Sequence, residues 1–180
     1  FLNRRNNSWN MQGPNNTAPL YWDNPYFRFY ENYVTDQRNR FAGNFSLNWD
    51  ISKKFNLLGR VAHDGFTYMV DERRAVGSLP DVMSIGPATG NQQSGYAVVN
   101  QRRGEQNYDV VLSYKDKFSE NISLNALVGS NVNVQTFYSN AQGTQQALFI
   151  PGIYSVTNTA AAANAPLVTD TEKRIYGLFA

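Results

Sequence analysis

The stretch RFAGNFSLNWD, residues 40–50, alternates between apolar and polar side chains almost without exception. Phe41, Phe45 and Leu47 fall on one side of an extended chain, whereas Asn44 and Asn48 fall on the other. Because successive side chains of a β-strand point to opposite faces, this pattern predicts a strand with one apolar and one polar face. The apolar face would meet a core in a soluble sheet, or lipid in a membrane barrel.

The same alternation recurs in residues 55–69, 107–115 and 122–139, and KRIYGLFA at residues 173–180 predicts a fifth strand that is only partly included. In the membrane interpretation, one set of side chains is expected to face lipid: Phe41, Phe45, Leu47, Val110, Leu112, Leu124, Ala126 and Val128. The opposite set is expected to face a polar lumen or a plug: Asn44, Asn48, Arg60, Asp109, Asn125 and Asn131.

The connections between these strands alternate in length. Residues 50–54 and 115–121 predict tight turns, whereas residues 71–105 and 140–171 predict long connections rich in Gly, Pro, Asn, Gln, Ser and Thr. Outer-membrane barrels combine short periplasmic turns with long extracellular loops, and compact soluble domains seldom contain structureless loops of this size. The pattern therefore favours a barrel, with both long connections on one side of the sheet and another extracellular loop before Arg38.

Composition excludes several other classes. The formal net charge of +2 gives no electrostatic case for a nucleic-acid partner, and the absence of Cys excludes thiolate metal sites. The sequence contains no run of about 18 apolar residues, so it predicts no transmembrane helix. Rich aromatics on a Gly-punctuated polar background are typical of an all-β protein.

No catalytic, metal or cofactor site is predicted. His63 is the only His, so the usual partners of a zinc site are missing, and it falls on the lipid-facing side of its strand. No phosphate-binding Gly-rich loop or nucleophile elbow occurs. Asp71 and Glu72 are adjacent carboxylates, but strand neighbours point apart. We expect them in a solvated loop mouth with Arg73 and Arg74, not as an acid/base pair.

Several segments carry recognisable motifs in one order along the chain. Residues 24–27 read Asn-Pro-Tyr-Phe and are followed by an acidic residue and an RNR step, Asp36 and Arg38 to Arg40. ERRAVGS and SLNALVGSN come next, and then LFIPGIYSVTNT at residues 148–159. Together these segments resemble the SusC/RagA family of TonB-dependent outer-membrane transporters. The residues that carry the resemblance are Asn24, Pro25, Tyr26, Arg38, Arg40, Pro151, Gly152, Tyr154 and Asn158.

This resemblance implies that residues 1–180 are an excerpt of a barrel domain, with about five antiparallel strands of a plugged barrel of about 22. No plug domain, TonB box or signal peptide is visible in these residues. The family resides in the bacterial outer membrane and imports nutrient oligomers such as glycans or peptides. Its members work with a SusD-like surface lipoprotein and are energised by the TonB complex. The resemblance thus implies a transporter segment and not an enzyme, with lipid around it.

Substrate-binding residues are harder to predict. Trp22, Tyr26 and Tyr30 could stack on sugars, and Asn131 and Asn133 offer amide groups to a polar solute. One alternative is a soluble β-sandwich that binds carbohydrate through the same aromatic side chains. Another is a passive outer-membrane pore, which would have the same strands without active transport. The excerpt leaves two unpaired sheet edges in every barrel interpretation, so we do not expect it to fold alone.

Overall fold

The computed structural model describes residues 4–81, 83, 85 and 93–180. In chain order its elements are β1 Met11–Gly13, β2 Asn16–Pro19, α1 Pro25–Glu31, β3 Tyr33–Asp50, β4 Phe55–Arg74, β5 Gly95–Ser119, β6 Ile122–Gly143 and β7 Leu167–Phe179. Strands β1 and β2 form a small antiparallel sheet, and β3 to β7 form a five-stranded sheet in which chain neighbours are hydrogen-bonded. The fold is mostly antiparallel β, and its sheets are not closed. The predicted all-β class is confirmed.

In the part of the chain that the structure describes, the only helix is α1, which is not long and apolar enough to cross a membrane.

The strands are longer than the sequence predicts. The expected connections at 71–105 and 140–171 shrink to residues 75–94 and 144–166, and residues 33–37 belong to β3 instead of a loop. Strand β5 also continues to Ser119, inside the turn predicted at 115–121. The strands can continue this far because ladder hydrogen bonds join backbone groups and do not depend on the side chains. The sequence pattern misses these strand ends because polar side chains on both faces remove the alternation that predicts a strand.

Helix α1 is absent from the sequence prediction, although its start is encoded in the Asn-Pro-Tyr motif. Asn24 precedes the helix, and its side-chain oxygen accepts hydrogen bonds from the backbone N–H groups of Tyr26 at 2.9 Å and Phe27 at 3.4 Å. Pro25 occupies the first turn, where its missing N–H costs nothing. Phe27 is buried. The motif therefore begins a helix and places one aromatic side chain in the core.

The chain divides into two compact units. Unit 1 comprises residues 1–38, 68–101 and 139–169, and unit 2 comprises residues 39–67, 102–138 and 170–180. Both long connections belong to unit 1 and both tight turns belong to unit 2. Every buried apolar side chain in the described ranges also belongs to unit 1: Phe27, Val70, Ala75, Met83, Ala97, Ala141 and Leu148. Unit 2 thus has the strands of a sheet without a described apolar core.

The burial of α1 gives a direct test of this packing. Phe27 is 2% exposed, so Phe27→Ala is expected to weaken the docking of α1 by about 3–5 kcal/mol through lost contacts and the cavity left behind. Hydrogen exchange at the amides of residues 25–31 measures this docking directly.

Phe29→Ala is the matched control, because Phe29 lies on the same helix and is 74% exposed. It is expected to change protection by less than about 0.5 kcal/mol. Equal loss of protection in the two variants would contradict the assignment of Phe27 to the core.

Candidate functional site

One face of the sheet in unit 2 carries a polar network. The guanidinium Nε of Arg60 donates to Asp109 Oδ2 at 2.7 Å, and Asn131 Nδ2 donates to Asp109 Oδ1 at 2.6 Å. These residues lie on β4, β5 and β6. Three of the six side chains predicted to share a polar face are therefore in contact across three strands.

The same network continues along β5 and β6. Asn133 Nδ2 donates to Glu105 Oε1 at 2.8 Å and to Asn107 Oδ1 at 2.7 Å. The Oδ1 atom of Asn133 is buried and accepts no hydrogen bond from the described residues.

Strands β3 and β4 are joined by a two-point ion pair. Arg40 donates from Nε to Asp64 Oδ1 at 2.8 Å and from Nη2 to Asp64 Oδ2 at 2.6 Å. This fork geometry fixes direction as well as distance, which a single lysine contact would not do. Arg40, predicted from the RNR step, thus aligns two neighbouring strands. Arg38 lies exposed on β3.

The opposite face of unit 2 is apolar and uncovered. Phe41 and Phe45 are 70% and 69% exposed, and Val128 is 53% exposed. Of the eight side chains predicted to face lipid, only Leu112 is half-buried, and the others are exposed: Phe41, Phe45, Leu47, Val110, Leu124, Ala126 and Val128. None of the eight packs in a protein core.

Unit 1 contains a buried carboxylate that sequence analysis placed wrongly. Asp71 was expected in a solvated loop mouth, but it lies on β4 and is 3% exposed. It accepts hydrogen bonds from the Thr35 hydroxyl, from Arg73 Nη2 at 2.9 Å and from the Tyr96 hydroxyl at 3.4 Å. The cause of the error is the length of β4, which brings Asp71 between partners on β3 and β5. Glu72 is also buried and accepts from the backbone N–H of Ile85 at 2.9 Å.

The partners of Asp71 control its ionisation. Burial, the largest single influence, opposes the charged form, but the hydrogen bonds from Thr35, Arg73 and Tyr96 and the Arg73 charge together outweigh it. The pKa of Asp71 therefore lies below its usual value. The hydrogen bond to Asp71 is the main reason that the pKa of Arg73 is raised. Burial, followed by the Asp71 charge, raises the pKa of the Tyr96 hydroxyl.

Arg73 is held between two aromatic rings. Its guanidinium carbon lies 5.4 Å from the ring centroid of Tyr33 and 5.6 Å from that of Tyr154, and Nη1 donates to the Tyr33 hydroxyl at 3.0 Å. The Tyr154 ring also lies 6.4 Å from that of Tyr96. Cation–π attraction at such distances orients both partners. Tyr154, predicted from the motif after Pro151, is thereby fixed to β3, β4 and β5.

The Pro151 turn, residues 150–158, explains the spacing of its motif. Gly152 has φ +78° and follows Pro151, as a type II turn requires, and Ile153 N–H donates to Ile150 C=O at 3.5 Å. Asn158 then fastens the turn. Its Oδ1 accepts from Ile150 N–H at 2.8 Å, and its Nδ2 donates to the carbonyls of Ile150 at 2.8 Å and Ile153 at 2.6 Å.

The aromatic binding candidates lie on the surface of unit 1. Trp22, Tyr26 and Tyr30 are exposed, and Tyr26, Phe29 and Tyr30 share one side of α1 by their spacing. The Phe29 and Tyr30 rings are 5.1 Å apart in an edge-to-face arrangement. The amide candidates Asn131 and Asn133 belong to unit 2 and are engaged in the polar network. The five predicted substrate-binding residues therefore belong to two separate groups, one aromatic and one amide, and not to one described site.

Sequence analysis missed the Asp71 cluster, defined as Thr35, Asp71, Arg73 and Tyr96. The available signal was the spacing of Asp71 and Arg73, since residues two apart on a strand share a face. The described residues contain no group of three or more His, Cys, Asp or Glu side chains that could hold a metal ion.

A scan against protein-family models finds no matching family, and a search of curated proteins finds no match.

Asn158 is expected to be essential for the Pro151 turn. Asn158→Asp removes both Nδ2 hydrogen bonds and places a charge against two carbonyls, at a cost of about 1–3 kcal/mol. Limited proteolysis within residues 148–160 should become several-fold faster. Thr157→Ala, at an exposed position in the same turn, is the control and should leave the rate nearly unchanged. Equal rates in all three proteins would exclude this role for Asn158.

The Asp71 cluster predicts an acid-dependent contribution to stability. Because the folded-state pKa of Asp71 is lowered, its contribution is present above its ordinary pKa of 3.8 and is lost as pH falls through the folded value. Asp71→Asn is expected to cost about 1–3 kcal/mol at pH 7. The difference in thermal midpoint from the unmodified protein should then shrink below about pH 3.8.

Asp36→Asn provides the control, because Asp36 is an exposed carboxylate on β3. It should shift the midpoint little at either pH. A difference between Asp71→Asn and the unmodified protein that stays constant from pH 7 to pH 3 would contradict the charged, hydrogen-bonded state of Asp71.

Proposed function

We propose that this chain is part of the barrel of an outer-membrane active transporter of the SusC/RagA type. The observation that carries the proposal is the sheet of unit 2, which exposes apolar side chains on one face and joins charged and amide groups on the other. Leaving apolar surface in water costs about 25 cal/mol per Å². A continuous apolar face of this kind is expected to contact lipid or another protein.

Strand length supports a membrane segment that extends beyond the bilayer. A tilted strand crosses with about 9–11 residues, whereas β4, β5 and β6 contain 20, 25 and 22. In the proposed arrangement the strand segments of unit 2 span the membrane. The Asp71 cluster and the Pro151 turn would belong to the extracellular part of such a barrel.

The polar face then points to the lumen, where Arg60, Asp109 and Asn131 would meet a plug or passing solute. Strands β3 and β7 are the edges of the sheet. In lipid their free backbone groups need further strands, which the remainder of a large barrel would supply.

The proposed activity is uptake of nutrient oligomers, either glycans or peptides, across the bacterial outer membrane. The exposed aromatic side of α1 and Trp22 suits stacking on a sugar or on an aromatic peptide side chain. A SusD-like lipoprotein would cover the surface loops, and the TonB complex would act through regions of the transporter beyond these residues. No residue here is assigned a catalytic role.

A charge placed on each face distinguishes lipid from lumen. Val128→Arg puts a cation on the apolar face and is expected to cost about 2–4 kcal/mol near mid-membrane. Asn125→Arg, on the same strand with opposite side-chain direction, should be tolerated. Heat-modifiable migration of the full-length protein on a gel measures the folded fraction of each variant.

Added bulk separates lipid from a protein core. Ala126→Leu combined with Val128→Leu enlarges two exposed apolar side chains, which fluid lipid accepts. In a close-packed soluble core the same change typically costs about 1–3 kcal/mol. Loss of the folded band in the double variant, or full extraction of the protein into buffer without detergent, would overturn the proposal.

A further inference from the structure

A groove of about 460 Å³ interrupts the apolar face of unit 2. Its lining includes Phe41 on β3, His63 and Gly65 on β4, Arg102 and Gly104 on β5, and Thr136 on β6. The volume is within the range of sites that hold small ligands. Unlike the exposed Phe, Leu and Val side chains of this face, the groove offers a guanidinium, an imidazole and a hydroxyl group.

Glycine residues on neighbouring strands form the floor of the groove. A Cβ atom on Gly65 would lie 2.9 Å from His63 Nε2 and 3.2 Å from the Arg103 carbonyl oxygen. A Cβ atom on Gly104 would lie 2.9 Å from Thr136 Oγ1. Larger residues would therefore displace the side chains that line the groove. The bare backbone at Gly65 and Gly104 therefore leaves room for the His63 and Thr136 side chains.

Arg102 supplies the charge. Its guanidinium carbon lies 4.8 Å from the ring centroid of Tyr138, which holds the side chain on this face. Arg102 is exposed and makes no ion pair with a carboxylate among the described residues. By contrast, Arg40 and Arg60 are both paired with Asp residues. A cation beside an apolar face without an acidic partner is expected to attract an anion from its surroundings.

The position along the strands agrees with a lipid headgroup. Counted from the strand ends at the tight turns, His63 lies 8 residues along β4, Thr136 14 residues along β6 and Arg102 17 residues along β5. A tilted strand crosses the membrane with about 9–11 residues, so these positions lie close to or beyond the outer end of a crossing. The groove would thus sit near the boundary where lipid phosphates begin.

We infer that this groove binds the phosphate of an anionic lipid of the outer leaflet, with Arg102 as the main contact and the acyl chains against the apolar face beside Phe41. His63 and Thr136 would donate hydrogen bonds to the headgroup. This inference rests on the proposed membrane location of unit 2. It adds a site on the outside of the sheet, where neither a transported solute nor a plug would reach.

The test uses the full-length protein in detergent, titrated with phosphatidic acid and followed by native mass spectrometry. Arg102→Gln is expected to weaken phosphatidic acid binding about five- to tenfold, whereas Arg102→Lys should retain most of it. Lys117→Gln is the matched control, because it removes a positive charge from an exposed position on the same strand, outside the lining of the groove. Its binding should equal that of the unmodified protein.

Two further ligands separate the alternatives. If phosphatidylcholine binds as tightly as phosphatidic acid, the groove does not recognise an anionic group and the inference is overturned. Full competition by inorganic phosphate at equal concentration would overturn the lipid assignment in favour of a free-anion site. Equal binding by the Arg102→Gln and Lys117→Gln proteins would overturn the assignment of Arg102 to the site. Each result counts against this inference alone if the protein still requires detergent and shows the heat-modifiable band, since those properties test the proposed function.

Discussion

The carboxylate of Asp109 joins three neighbouring strands, because it accepts hydrogen bonds from Arg60 on β4 and from Asn131 on β6. These contacts are possible only in one register, and a slip of one residue would turn every side chain of a strand to the opposite face. The slip would place Arg60 or Asp109 among Phe and Val side chains. The register that forms the polar network is thus the same register that keeps the apolar side chains together on the other face.

Alternation of side chains predicts the part of the fold in which the faces differ most. The five strands, their tight turns and the direction of residues such as Phe45, Asn131 and Val128 follow from a period of two. The positions of the strand ends do not follow from this period, because β4 beyond Met69 and β5 before Asn107 carry polar residues on both faces. The Asp71 cluster is invisible for the same reason. Its partners Thr35 and Tyr96 are distant in sequence, and only pairing of β3, β4 and β5 brings them together.

Motif residues explain local geometry more directly than they explain binding. Asn24 and Pro25 begin a helix, and Pro151, Gly152 and Asn158 form and fasten a turn. Tyr154 extends from that turn to Arg73. These roles need specific side chains at fixed spacing, which is why the residues stand out in a sequence. The side chains suited to a solute, such as Tyr26 and Trp22, are exposed aromatics with no spacing that predicts what they contact.

The unequal connections also set the order in which the sheet forms. Closing a connection of about 20 residues costs about 1.4 kcal/mol more than closing one of about 4, because the entropy lost grows with the logarithm of length. From this entropy difference, the pairs β3–β4 and β5–β6 are expected to form before β4 pairs with β5. Arg60 belongs to one hairpin and Asp109 to the other. Their ion pair can form only when the two hairpins dock, so the match between the faces is decided at this second step.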